Sequence, residues 1–309
     1  MAQFKRITPL LVARRISQVA VATVLFNSYF KVFQTRRIYA GPLRQLCIPG
    51  LSCHACPSAV AGCPIGMLQH FAAVHSFPFY LIGFLGLIGL TSGRFTCGWL
   101  CPFGLLQDVS YAFKRLTVRI PKLLNYGKYV VLLVLAIIIP YITNEHWFSK
   151  LCPCGALIAG IPWALWNPTD PVFGIAAIAP ESIGTLFWVK LTILGVFLIL
   201  FLFIKRPFCR TICPLGAVYS LFNRISLVSL KHTSTCQDCG KCRELCPVDL
   251  EARTEINNAN CIKCLDCLQC KHVNFAWNLP WKSKPPEALP VGLPGATPQA
   301  AVSESSAAD

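Results

Sequence analysis

The chain has 309 residues, 54% of them hydrophobic and only 13% charged, with a mean hydropathy of +0.55 and a formal net charge of +15. A soluble domain usually carries about 25% charged residues, so the composition excludes an ordinary water-soluble protein and points to a lipid bilayer. In so apolar a chain the basic excess reads as positive-inside loops rather than a nucleic-acid footprint, and no nucleic-acid partner is expected.

In chain order, Lys5, Arg6, Arg14 and Arg15 precede a first apolar run with no small-residue cleavage site after it, so a retained span is expected rather than a cleaved signal. A transmembrane helix needs about 20 mostly apolar residues. The runs 16–33, 71–90, 126–142 and 185–204 meet this, the first least well because Asn27, Ser28 and Lys31 interrupt it. The stretch 157–179 is also apolar, but Pro162, Pro168, Asp170 and Pro171 break it, which predicts a re-entrant or surface segment. With four spans and a cytoplasmic N-terminus, 22 of the 28 lysines and arginines fall on one side. That asymmetry predicts both termini in the cytoplasm of a bacterial or archaeal cell membrane, although Arg36, Arg37 and Arg44 run against it.

Between these spans lie four copies of Cys-Pro-x-Gly: Cys63-Pro64-Ile65-Gly66, Cys101-Pro102-Phe103-Gly104, Cys152-Pro153-Cys154-Gly155 and Cys213-Pro214-Leu215-Gly216. Proline and glycine at these places end and start helices, but that role alone does not call for a cysteine each time. Two copies extend to Cys97-x3-Cys101-Pro and Cys209-x3-Cys213-Pro, so the chain reads as two copies of a span-plus-loop unit with a site between them. Cys97, Cys101, Cys209 and Cys213 supply four thiols, the ligand count of one iron–sulfur cluster or one zinc. A redox-active thiol pair is the third option. Arg94, Lys205, Arg206 and Arg210 nearby favour thiolates. A further set, Cys47, Cys53, Cys56, Cys63, Cys152 and Cys154, is either another metal site or a group of structural disulfides. A cluster there would extend a redox relay across the bilayer.

After residue 229 the chain turns polar and cysteine-rich. Cys236-x2-Cys239-x2-Cys242-x3-Cys246-Pro247 is followed by Cys261-x2-Cys264-x2-Cys267-x2-Cys270, the spacing of a bacterial two-cluster ferredoxin with a shorter last gap. In that fold each 4Fe–4S cluster takes three thiolates from one motif and the fourth from the other. The expected sets are Cys236, Cys239, Cys242 and Cys270 for one cluster, and Cys261, Cys264, Cys267 and Cys246 for the second. Paired zinc ribbons fit the interleaved spacing less well. The predicted architecture is an α-helical membrane protein, with a four-helix transmembrane domain (1–230), a two-cluster ferredoxin-like α+β domain (231–275) and a disordered Pro/Ala-rich tail (276–309).

Proton-handling candidates are His70 and His75 at the start of the second span, and Glu145, His146, Asp170 and Glu181 beyond the third. The i, i+5 spacing of His70 and His75 does not put both on one narrow helix face. No glycine-rich nucleotide motif accompanies these residues, which favours a relay over a complete nicotinamide enzyme.

The Cys-x3-Cys-Pro loops at 97–102 and 209–214, the spans and the C-terminal ferredoxin pattern resemble the NapH/NosR/CcoG group of polyferredoxin-like membrane proteins over roughly residues 70–275. The resemblance to the NapH type implies the electron-transfer subunit of a quinol dehydrogenase-type complex. Such a subunit takes electrons from quinol and passes them to a redox partner protein, most simply another subunit of a membrane oxidoreductase. The CcoG type implies an alternative, a metal-handling assembly factor that reduces copper or thiols. The segment Cys47–Cys63 and the Cys152-Pro153-Cys154 element are additions to the NapH pattern.

Overall fold

The computed structural model describes residues 9–35, 39, 41–114, 118, 120–166, 184–233, 240–270 and 272–277. Asp170, Glu181, Cys236, Cys239 and the expected tail beyond residue 277 lie outside them.

Among the described residues three helices are long and apolar enough to cross a membrane: Pro9–Phe26, Lys122–Thr143 and Thr185–Phe203. The second contains the third predicted span, and the third matches the fourth predicted span to within its last residue. The first predicted span is displaced: its helix begins seven residues earlier and stops at Asn27, whose side-chain amide donates back to the Ala22 carbonyl at 3.0 Å. Arg14 and Arg15 therefore sit within the helix rather than ahead of it. Arg14 is fully buried and ion-paired to Asp108 and Asp266.

The second predicted span is divided. Residues 71–73 finish a separate helix, Pro64–Ala73, and the chain then turns at His75, whose φ is +55°. The helix that follows Pro78, Phe79–Ser92, has 14 residues. At about 1.5 Å per residue that is roughly 21 Å, short of the ~30 Å hydrocarbon core. Residues 157–165 belong to a short apolar helix, Pro153–Leu165.

Two short turns of helix, Phe95–Trp99 and Pro207–Thr211, each lead through a cysteine-proline step into a longer helix, Pro102–Lys114 and Pro214–Phe222. Proline suits the first helical position because its missing N–H would have no partner there. The main core is lined by cysteines as well as by leucine and phenylalanine: Cys47, Cys63, Cys97, Cys101, Cys152, Cys154, Cys213 and Cys264 all belong to it.

The C-terminal segment is closed by an antiparallel strand pair, Val228–His232 with Val273–Trp277, in the register Val228↔Trp277. It rests on the helices through buried polar contacts. Arg94 Nη1 donates to the Ala259 carbonyl at 2.8 Å, Lys128 Nζ to Asn260 Oδ1 at 2.7 Å, and Asn223 Nδ2 to the carbonyls of Asn258 and Cys261 at 2.6 and 2.9 Å. Lys263 Nζ donates to Ser226 and to the Val228 carbonyl.

Candidate metal centre

All four Cys-Pro-x-Gly segments are built alike. The cysteine stands just before the helix and proline opens it. Cys63 and Cys152 make no side-chain bond to the helix they precede, whereas Cys213 Sγ accepts from Gly216 N at 3.4 Å. This is N-capping with sulfur in place of a hydroxyl oxygen, satisfying one of the helix's orphan N–H groups.

Cys97, Cys101, Cys209 and Cys213 line one cavity, closed on the remaining sides by Arg94, Phe103 and the segment Pro49-Gly50-Leu51. Cys97, Cys101, Cys209 and Cys213 are all buried. The two halves are tied reciprocally. Arg94, just before Cys97, donates from Nη2 to the Cys209 carbonyl at 2.9 Å, and Arg206, just before Cys209, donates from Nη1 to the Cys97 carbonyl at 3.0 Å. Each guanidinium crosses onto the other half's glycine: a Cβ on Gly216 would lie 3.0 Å from Arg94 Nη2, and one on Gly104 would lie 3.0 Å from Arg206 Nη1. The glycine is thus a point of close approach, a requirement that adds to its place in the cap.

Further donors aim at the sulfurs. Gln107 Nε2 donates to Cys209 Sγ at 3.0 Å, and the Leu51 N–H lies near Cys101. Arg94 Nε is buried without a hydrogen-bond partner among the described residues. Burial raises the thiols of Cys101, Cys209 and Cys213, Cys209 to about 12, so a metal taking these sulfurs as thiolates must displace their protons. Among the described residues no three His, Cys, Asp or Glu side chains converge closely enough for a single metal ion. Zinc with Zn–S bonds of about 2.3 Å would need them to, whereas a multi-atom cluster takes its four thiolates from around a cavity. The all-sulfur donor set, the N–H groups aimed at it and the unpartnered arginine nitrogen fit an iron–sulfur cluster. When bound, such a cluster accepts and gives back one electron at a time.

Of the C-terminal cysteines, the structure brings Cys246, Cys261, Cys264 and Cys267 within electrostatic reach of one another. Cys242 and Cys270 pack with Cys261 and Cys267 around Leu230 and Val273. The Cys261–Cys267 loop lies directly against the first cavity's wall: a Cβ on Gly98 would meet the Ile262 carbonyl oxygen at 2.6 Å and the Cys264 Cα at 3.5 Å. Gly98→Ala should therefore force backbone apart, with an overpacking cost of about 1–3 kcal/mol. The expected readout is faster alkylation of Cys264 in the folded variant than in the wild type, with an unchanged helical circular-dichroism spectrum.

Cys53, Cys63, Cys152 and Cys154 line a second cavity with Ser52, His54 and Ser149. Cys47 faces Cys63 from an isolated bridge between Cys47 and Gly62, and Cys56 turns away, its thiol donating to Asn27 Oδ1 at 3.4 Å. Every described cysteine is a free thiol. His70 and His75 do not meet. His70 stacks on His146, with ring centroids 5.9 Å apart and 9° between planes, and His75 packs on Tyr141. Burial, with His70 and Lys150 nearby, lowers the pKa of His146, so its ring is neutral at pH 7. Glu145 is exposed and pairs with Lys150 at 2.7 Å. The His70–His146 pairing joins residues 76 positions apart, and no local pattern announces it.

A family model described as a 4Fe-4S binding domain matches residues 74–121 and 186–231, less than half of the chain but including Cys97, Cys101, Cys209 and Cys213. The ferredoxin-type protein NapH of Haemophilus influenzae is 26% identical over 251 residues, covering 76% of this chain and 73% of its own length. The methylamine utilization ferredoxin-type protein MauN of Paracoccus denitrificans is 27% identical, covering 62% of this chain and 58% of MauN. The putative electron transport protein YccM of Escherichia coli is 26% identical, covering 61% of this chain and 52% of YccM. No solved structure matches.

Proposed function

We propose that this chain, which is similar to NapH-type ferredoxin-like proteins and matches a 4Fe-4S binding-domain model, moves electrons between the membrane quinone pool and a redox partner protein. The observation that carries this reading is the contact between the two cysteine groups. The Cys261–Cys267 loop lies against the Phe95–Trp99 turn that presents Cys97, with Arg94 bonded to both the Cys209 and Ala259 carbonyls. In this reading Cys97, Cys101, Cys209 and Cys213 hold one cluster. Cys246, Cys261, Cys264 and Cys267 hold a second, and Cys236, Cys239, Cys242 and Cys270 a third. The C-terminal segment then faces the partner in the cytoplasm.

The stacked pair His70 and His146 stands beside the second cavity, joined to it by Gln69, which donates to Ser149 Oγ at 3.0 Å. A neutral imidazole at that place accepts a proton from quinol, and positioned proton transfer contributes about 10²–10⁴-fold to a rate. The test adds menaquinol to the anaerobic protein in liposomes and follows cluster reduction by EPR. Quinol should reduce the wild type. A His70→Ala/His146→Ala variant should respond at least about 10²-fold more slowly while still reducing fully with dithionite. A wild type that dithionite reduces and no quinol reduces would end the quinone reading.

A further inference from the structure

The second cavity repeats the plan of the first. Two of its thiols, Cys63 and Cys152, are Cys-Pro-x-Gly cysteines, each standing just before a helix that proline opens. Two more, Cys53 and Cys154, complete a quartet around the same space. Each glycine again admits a nitrogen-bearing side chain. A Cβ on Gly66 would lie 2.6 Å from His54 Nδ1, and one on Gly155 would lie 3.3 Å from Lys190 Nζ and 3.3 Å from Cys53 Sγ. In the first cavity Arg206 and Arg94 occupy these places. Backbone N–H groups of the flanking loop also lie near the sulfurs, those of Ser52 and Ile65 by Cys63 and those of Ala55 and Cys56 by Cys53. Ser52 Oγ, on the cavity wall, is buried with no hydrogen-bond partner among the described residues. Four inward thiols, converging N–H donors and an unpartnered hydroxyl make a ligand site; a structural disulfide would use two sulfurs and leave the rest unexplained.

The two cavities share a wall, Leu51. Its N–H lies near Cys101 of the first quartet, and its carbonyl accepts from the Cys154 thiol of the second at 3.8 Å. Tyr219 holds this segment in place by donating from its hydroxyl to the Pro49 carbonyl at 3.1 Å.

We propose that Cys53, Cys63, Cys152 and Cys154 bind a further iron–sulfur cluster, separated from the Cys97/Cys101/Cys209/Cys213 site by the single residue Leu51. The family model ends at residue 121, resumes at 186 and does not reach any of these four cysteines. Its use as the entry point of a relay rests on the electron-transfer reading above; its occupancy does not.

Iron and acid-labile sulfide per chain, measured on the full chain purified anaerobically, test the site. Cys63→Ala/Cys152→Ala should lose about four iron atoms and four sulfides relative to the wild type. Cys101→Ala/Cys213→Ala should lose about the same number and keep those of the second cavity, so the result does not depend on one variant folding. Unchanged iron in the Cys63→Ala/Cys152→Ala variant would overturn the proposal. So would mass-spectrometric detection of a disulfide among the four cysteines in the wild type, or zinc there in place of iron. Loss of iron from the second site with no reduction by quinol would leave the site standing and remove the quinone reading.

Discussion

Replacing Cys101 and Cys213 together by alanine should remove about four iron atoms per chain and, on the quinone link proposed above, disconnect quinol from the C-terminal cysteines. Both residues do two things. Each supplies a thiol to the buried cavity between the two halves, and each stands at the N-cap position of the helix that follows it, Pro102–Lys114 or Pro214–Phe222, where Cys213 Sγ accepts from Gly216 N. Losing a cap costs about 1 kcal/mol per helix, which a domain held by buried arginine contacts can absorb. Losing half of a four-thiolate ligand set cannot be absorbed in the same way, because binding to such a set is itself folding free energy and the remaining two thiols must be protonated or solvated. Cys101→Ser/Cys213→Ser separates the two roles: serine restores an N-cap oxygen but not a soft sulfur ligand. The serine variant should recover only a cap's share of the stability, about 1 kcal/mol per helix, and none of the iron. The C-terminal set should stay reducible by dithionite in both variants, since its cysteines are on another loop. If iron content and quinol-driven reduction survived in both, the cavity would be a thiol-lined core and not a redox site.

Much of this centre is readable from spacing, and the unreadable parts have a common physical cause. The repeated Cys-Pro-x-Gly and Cys-x3-Cys-Pro motifs announce themselves because a helix start needs proline and an N-cap at fixed offsets. The interleaved C-terminal spacing groups Cys246 with Cys261, Cys264 and Cys267, and these four lie within electrostatic reach of one another. What spacing does not carry is the tertiary meaning of the glycines. That Gly104 is small because Arg206 lies on it, and Gly216 because Arg94 does, needs contacts between distant halves. Hydropathy likewise misplaces the first span: it penalises Arg14 and Arg15 and starts the helix after them, whereas Arg14 is neutralised by Asp108 and Asp266, 94 and 252 residues away. Nor does spacing carry the contact of Leu51 with both quartets. The split in the second span was visible as Pro78, but the run of apolar residues on both sides outweighs one proline in a hydropathy window.

Asp108→Asn should give the largest loss of stability of any single substitution here, about 3–5 kcal/mol, because it removes the negative partner of buried arginines and leaves their charge uncompensated. Asp108 accepts from Arg206 Nε and Nη2, both at 2.6 Å, from Arg15 Nη1 at 2.8 Å and from Arg14 Nη2 at 3.4 Å. The side chains of Arg206 and Arg14 are 0% and 1% exposed, and that of Asp108 is 6% exposed. By contrast the Glu145–Lys150 pair is 50% and 36% exposed at the side chains, and Glu145→Gln should change stability by less than about 1 kcal/mol. Thermal unfolding of both variants in detergent checks the contrast. Burial by itself would raise the Asp108 carboxyl; the Arg206 guanidinium, with Arg15 and Arg14, outweighs it and holds the group well below the usual carboxylate range. A carboxyl depressed in the folded state contributes stability above its unfolded value of about 3.9 and loses it as pH falls below that. The deficit of Asp108→Asn should therefore be constant from pH 5 to 8 and shrink on acidification below about pH 4. The damage should also reach the metal centre. Arg206 orients the Cys97 carbonyl with Nη1 while Asp108 fixes its other nitrogens, so releasing the guanidinium loosens the turn that presents Cys97. A variant that unfolds normally, with unchanged iron, would mean that Asp266 and the backbone carbonyls alone hold the arginines in place.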